Sequence, residues 1–184
     1  MEGGIMKYYI FSGRFQPFHN GHMQILKSLL RIVKENDVIV LAISTQAFSD
    51  TEKNSEFTNI TNQHYQEERN PWNYLIVLEA INTIIQHLNS DNRILSTLIP
   101  RPDLGLEQIK LWFPSNRVWI IPKGEENFDD LKEKFFLNQG EDVLRISDMS
   151  KISGWELRKF YYVKDVHSFN KFIPECLKNI YYKD

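Results

Sequence analysis

The sequence predicts a doubly wound α/β fold built on a parallel five-stranded sheet. Three observations predict it. Short apolar runs recur along the chain and are bounded by turn residues. Segments with apolar residues at helical spacing alternate with them. The first strand, helix and second strand fit one βαβ unit, whose crossover is right-handed and whose strands are parallel.

The elements follow in order. Lys7 to Ser12 holds Tyr8, Tyr9, Ile10 and Phe11 in a row and ends at Ser12-Gly13, so it reads as a buried first strand. Gly13 to His19 is a loop, and Asn20 is the expected N-cap of a helix carrying Met23, Leu26, Leu29, Leu30 and Val33 on one stripe. Val38 to Ile43 is the second strand. Gln46 to Asn70 is polar and long for a loop inside a domain, the kind of segment that serves as a lid or stays disordered. Pro71 is expected to open a helix buried through Leu75, Leu78, Ile81, Ile84, Ile85 and Leu88. Arg93 to Ile99 is the third strand, followed by a loop at Pro100-Arg101-Pro102-Asp103. Val118 to Ile121 and Val143 to Ile146 are the fourth and fifth strands, separated by a helix from Phe128 to Asn138 that Gly140 stops. Ile152 to Phe160 begins another helix. Val166 to Tyr182 is a last one, interrupted by Pro174. No repeat or second domain is visible, so residues 1–184 are expected to form one domain, with 151–184 as a C-terminal helical segment packing on the same core.

Bulk properties narrow the function classes. At 184 residues and 42% hydrophobic content the chain can bury a full core. A net charge of -2 supplies no global basic field, so a dedicated nucleic-acid binder is not expected. No stretch reaches the ~18 apolar residues of a membrane span. A single cysteine, Cys176, rules out an intrachain disulfide and suits a cytoplasmic setting. Met1 to Tyr9 lacks the apolar core of a secretion signal.

Most of the chemical information lies in Gly13-Arg14-Phe15-Gln16-Pro17-Phe18-His19-Asn20-Gly21-His22. Gly13 lets backbone N–H groups approach a phosphate, and the helix that follows aims its free N–H groups and positive dipole end at the same place. His19 and His22 are three apart, so one helical turn brings both imidazoles to one face, where they can donate to phosphate oxygens. Gly21 leaves room for a flat base or ribose. A metal pair is the other chemical reading of two such histidines, but no third ligand lies nearby in sequence. A second cluster, Ile152-Ser153-Gly154-Trp155-Glu156-Leu157-Arg158, sits where a loop meets a helix. Ser153 and Glu156 have the spacing of a capping box, which needs no chemistry. An arginine one turn inside a helix N-terminus is also a natural pyrophosphate clamp.

The first segment resembles the H-x-G-H signature of the nucleotidyltransferase superfamily. Its full form, G-R-F-Q-P-F-H-x-G-H, looks like the archaeal-type nicotinamide-nucleotide adenylyltransferases. The resemblance implies a Rossmann-like nucleotidyltransferase fold in which His19 and His22 hold ATP phosphates in the transition state. It places Gly13, Arg14, Phe15 and Gly21 around ATP, with Arg14 near the triphosphate or the acceptor phosphate. The second cluster resembles the family's S-G-T-E-[IV]-R, so Ser153 and Arg158 would grip the leaving phosphates, with Gly154 also beside ATP. Trp155 departs from it, standing where the family has Thr. Ile99-Pro100-Arg101-Pro102-Asp103 resembles the family's I-P-x-P-D, which puts Asp103 beside the acceptor, and Trp112 is a candidate to stack on the acceptor's ring. Asn70-Pro71-Trp72 resembles an N-P-F helix start, but Ile76 and Val77 replace the Glu-Arg pair that follows it in the family.

The implied reaction moves an adenylyl group from ATP to nicotinamide mononucleotide, forming NAD and pyrophosphate. Mg2+ would travel with ATP, and no protein side chain is assigned to hold it. The expected partners are ATP and a phosphorylated small molecule, with neither nucleic acid nor membrane; a homo-oligomer is left open. Two alternatives remain at this point: transfer to a different phosphorylated acceptor, and a nucleotide-binding module without chemistry.

Overall fold

The computed structural model describes residues 5–46, 56–88, 93–123, 126–147 and 153–182. Five strands form one sheet: β1 (Tyr8–Gly13), β2 (Val38–Thr45), β3 (Ile94–Pro100), β4 (Arg117–Pro122) and β5 (Asp142–Ile146). Their order is β3-β2-β1-β4-β5, and every neighbouring pair is parallel. The fold class expected from the alternating pattern is therefore the one observed. The chain winds outward through β1, β2 and β3, then returns to place β4 on the other side of β1. That reversal opens a crevice beyond the carboxyl ends of β1 and β4, where ligands bind in open α/β sheets. The Gly13–His22 segment leaves β1 directly into it.

Strand side chains alternate between faces, and two buried clusters follow from this. Phe11, Ile39, Leu41 and Ile43 point into one, which packs against α1 (Asn20–Ile32) and α3 (Tyr74–Leu88). The same cluster holds Leu157 of α6 (Gly154–Tyr162), Phe169 of α7 (Val166–Asn170), and Leu177, Ile180 and Tyr181. Ile10, Val40, Ala42, Trp119 and Ile121 point the other way, toward Leu106 and Ile109 of α4 (Pro102–Trp112) and Phe136 of α5 (Glu126–Asn138). Trp119 stacks on Phe136 with ring centroids 4.2 Å apart, and its indole N–H donates to Glu141. Gly140, at φ 73, ends α5 in the left-handed conformation that glycine adopts without strain.

Several boundaries differ from the sequence expectation. His19, not Asn20, is the N-cap of α1: its backbone is extended, and its ring nitrogen accepts from Gly21 N–H. Pro71 does not open α3. The cap is Asn73, whose Oδ1 accepts from the N–H groups of Leu75 and Ile76. The polar stretch after β2 contains α2 (Glu56–His64), held down by buried Phe57, Thr58 and Thr61, and a 3-10 turn at Glu67–Arg69. Its remaining part, residues 47–55, lies outside the described residues, as does Ile152. Pro102 and Asp103, expected in the loop after β3, instead open α4, whose remaining residues the sequence reading assigns to no element. The long last helix is instead the short α7 and a 3-10 turn at Glu175–Leu177, because Pro174 cannot donate to a continuing helix. Among the described residues no helix is long and apolar enough to cross a membrane.

Candidate active site

A cavity of about 460 Å3 lies in the crevice, a size suited to a small-molecule ligand. His19 and His22 line it from the start of α1, with ring centroids 3.8 Å apart. Each imidazole is fixed by the backbone of the other's turn. His19 Nδ1 accepts from Gly21 N–H at 3.1 Å, and His22 Nδ1 accepts from His19 N–H at 3.2 Å. This is a capping box built from two histidines in place of the usual hydroxyl and carboxylate. A ring nitrogen that accepts carries no proton, so the proton of each neutral ring sits on Nε2. Two Nε2–H donors are thereby set at the head of the helix.

His22 is held neutral. Burial is the largest cause, pushing its pKa well below the usual histidine value, and any positive charge on its neighbours His19, Lys132 and Arg14 acts in the same direction. The desolvating wall is aromatic: Phe11, Phe15 and Phe18 all lie within 6 Å of the His22 ring, centroid to centroid. Phe15 adopts φ 51, a left-handed conformation that is strained for a bulky residue. Such outliers persist where surrounding structure holds them, often at binding sites. Gly13 makes room for it, since a β-carbon there would stand 3.3 Å from the Phe15 ring.

Arg158 arrives from α6. It is 3% exposed, lines the cavity with the two histidines, and donates from Nη1 to the Gln16 carbonyl at 2.5 Å. Gly154 permits this approach, because a β-carbon there would meet Arg158 Nη1 at 3.2 Å and Gln16 O at 3.5 Å. Ser153 caps α6, and Glu156 completes the box, so the serine hydroxyl is already engaged with Glu156 N–H and carboxylate. Trp155, half exposed at the cavity wall, gathers the cations of Arg69, Arg158 and Lys159 at 5.6, 5.9 and 5.2 Å from its ring.

Arg14 also lines the cavity, but it reaches across to the segment after α2. Its Nη1 donates to the carbonyls of His64 and Arg69 and to Asn70 Oδ1. Asp103 lines the cavity from the first turn of α4, and its carboxylate is already paired with Arg101 at 2.7 Å. Two expected site residues lie apart. Gly21 is buried in α1 and is not in the cavity wall. Trp112 is 53% exposed at the opposite end of α4 from Asp103, nine residues and roughly 13 Å of helix away, so the cavity wall does not include it.

The cavity wall contains groups that sequence reasoning missed. His64 and Tyr65 come from the end of α2, Phe128 and Lys132 from α5, and Arg69 from the 3-10 turn. His64 and Phe128 pack with centroids 4.6 Å apart. Burial, then the charges of Arg14, Arg69, Arg158 and Lys132, lowers the His64 pKa to about 4. None of these residues forms a short motif, so no local pattern marked them. Arg14, Arg69, Lys132 and Arg158 against Asp103, Asp129 and Glu156 leave a cationic excess, with Asp103 already consumed by Arg101. No group of three metal-ligating side chains occurs among the described residues.

Residues 10–95 match the model of the cytidylyltransferase-like family. A nicotinamide-nucleotide adenylyltransferase of Picrophilus torridus is 43% identical over 76 residues, which make up 39% of this chain and 43% of that one. That of Thermoplasma acidophilum is 36% identical over 86 residues, 45% of this chain and 46% of its own. The matches thus span less than half the length of these curated relatives. Among solved structures, a Vibrio parahaemolyticus chain described as a nicotinate-nucleotide adenylyltransferase aligns with a TM-score of 0.60 over 97% of this chain and 100% of its own, at 14% identity. A Plasmodium falciparum nicotinic acid mononucleotide adenylyltransferase complexed with NaAD aligns at 0.54 over 96% and 94%, at 17% identity. At such identities these structures show the fold alone. In sequence the chain is thus similar over part of its length to the cytidylyltransferase-like family and to the archaeal nicotinamide-nucleotide adenylyltransferases, and it shares its fold with the solved structures.

Proposed function

We propose that the chain transfers the adenylyl group of ATP to nicotinamide mononucleotide, forming NAD and pyrophosphate. One observation carries this reading: two histidines locked with Nε2–H as donors share a cationic cavity with Arg158 at the switch point of the sheet. Donors and cations of that kind fit a polyphosphate. The archaeal relatives supply the choice of acceptor.

In the reaction an acceptor phosphate oxygen attacks the α-phosphorus in line, and the bond to the bridging oxygen of the β-phosphate breaks. Pyrophosphate departs with the electron pair. The nucleophile is already ionised near neutral pH, so no general base is required. The chain contributes position and charge stabilisation. His19 and His22 donate as neutral imidazoles to oxygens that gain charge, Arg158 holds the leaving phosphates, and the Gly13–Phe15 backbone and Ser153–Gly154 border the nucleotide. Mg2+ carried with ATP would neutralise part of the triphosphate charge, and no side chain of this chain is assigned to hold it. The acceptor occupies the part of the cavity near Asp103 and α2.

A pyrophosphate-release assay over a panel of phosphorylated acceptors tests the reading. NAD formation with nicotinamide mononucleotide is expected, and release only with another acceptor replaces that substrate. ATP binding without turnover on any acceptor defeats the enzymatic reading. His22→Ala is expected to lower kcat on the order of 100-fold while ATP affinity changes much less. Equal losses in both would remove His22 from the transition state.

A further inference from the structure

Lys132 carries no motif, yet it stands in the cavity wall beside the two histidines. It projects from the middle of α5, and its Nζ donates to the carbonyl of Ser12 at 3.1 Å. Ser12 is the penultimate residue of β1, immediately before the Gly13 loop. The ammonium is therefore held at the carboxyl end of the strand that delivers the phosphate-facing segment. An ammonium has three donors, and one carbonyl uses one of them. Among the described residues Lys132 forms no ion pair within 4 Å. Its counter-charge is Asp129, buried one turn earlier on α5, which acts on it through space. A desolvated cation with spare donors is costly unless an anion completes its shell. Its field reaches His22 on α1 and His64 on α2, both of which it makes harder to protonate.

We infer that Lys132 is a further catalytic residue, its ammonium donating to a triphosphate oxygen beside His22 as charge develops in adenylyl transfer. This rests on the nucleotidyl-transfer reading. The lysine moves no proton. It adds a full positive charge where two neutral imidazoles supply only dipoles, and the Ser12 carbonyl fixes its position before the nucleotide enters. Its charge adds to the burial that keeps His22 a neutral donor.

The test uses the full chain with Lys132→Gln and Lys132→Arg. Readouts are kcat and KM for ATP from pyrophosphate release, ATP affinity by calorimetry, and thermal melting. Lys132→Gln is expected to lower kcat on the order of 100-fold with a much smaller change in ATP affinity. Lys132→Arg should recover much of kcat, since it keeps the charge. The pH profile supplies a signature that a structural tie lacks. Burial lowers the Lys132 pKa from the ordinary lysine value, so the wild type should lose kcat on the alkaline side earlier than an exposed lysine would dictate. The arginine variant should keep its activity there. The other groups around the cavity do not titrate in that range: His22 and His64 lose their protons at lower pH, Tyr65 is pushed up by burial, and Arg14 and Arg158 stay charged. Wild-type kcat in Lys132→Gln overturns the inference while leaving the nucleotidyl-transfer reading intact. Equal loss in both variants with lowered melting reduces Lys132 to a tie between α5 and β1. A wild-type chain that releases no pyrophosphate on any acceptor removes the reading and the inference together.

Discussion

At the scale of single residues, the cavity is organised by what its imidazoles are prevented from doing. His22 and the partly buried His64 both lie among cations, and both resist protonation. For His64 the consequence for stability has a definite sign. Its folded pKa is about 4, against an ordinary value of 6.5. As pH falls through 6.5 the unfolded chain takes up the proton first, so it binds more protons than the native state and stability drops. The loss accumulates between about pH 6.5 and about pH 4 and levels off below. His64→Phe keeps an aromatic ring against Phe128 but removes the titrating nitrogen. Thermal melting of both proteins at intervals between pH 4 and pH 7 should show a shallower acid-side decline in the variant. Parallel curves would mean that His64 titrates alike in the folded and unfolded chain. The direction of these shifts was not legible in the sequence. The spacing of His19 and His22 showed that two imidazoles share a helical turn, but the protonation of His22 depends on Phe11, Phe15, Phe18 and Lys132, which only tertiary packing assembles.

At the scale of elements, helix starts are where structure and chemistry coincide. The Ser153–Glu156 spacing announced a cap, and the cap is present. The helix it starts carries Arg158 into the cavity one turn later. Ser153→Ala removes the acceptor for Glu156 N–H and should cost about 1 kcal/mol of stability, seen as a lower denaturant midpoint at unchanged slope. Because Arg158 rides on that turn, KM for ATP should rise as well. A stability loss with unaltered ATP kinetics would show that the Gln16 carbonyl alone positions Arg158. The alternating strands and the apolar stripes of α1 and α3 were readable because each buries a full periodic face. α2 and α4 were not. α2 carries three buried residues, two of them threonines, which no hydrophobic period reveals. α4 is interrupted by Gly105, whose backbone leaves helical values and whose missing β-carbon lets Pro100 approach. Both helices frame the cavity, so the acceptor side of the site was the part least visible in advance.

At the scale of the whole molecule, the two ends of the chain hold one another. The Gly13–His22 loop belongs to the first strand's crossover, yet its backbone is finished by residues some 150 positions later. Phe18 N–H donates to the Tyr181 hydroxyl at 2.9 Å, and Asn20 N–H to the Phe172 carbonyl at 2.8 Å. Trp72 closes the arrangement: its indole N–H reaches the Tyr181 carbonyl at 3.2 Å, while its own backbone is bracketed by the Gln16 side-chain amide at 2.7 and 3.2 Å. The segment after α6 is therefore a clasp over the loop that bears the histidines. Burial pushes the Tyr181 hydroxyl's pKa upward, so it stays protonated and available as an acceptor across the working pH range. Tyr181→Phe keeps the ring and its packing against Trp72 and Phe169 but leaves a buried Phe18 N–H without a partner. An unsatisfied buried donor costs about 1–3 kcal/mol. If the clasp also sets the loop, the loss extends beyond stability, because Phe18 immediately precedes His19. Turnover at a temperature well below melting should then fall several-fold while the five-stranded sheet remains folded by circular dichroism. A variant that melts earlier yet turns over at the wild-type rate would show that the loop holds its shape through the paired imidazoles alone, and that the C-terminal segment stabilises the chain without tuning its chemistry.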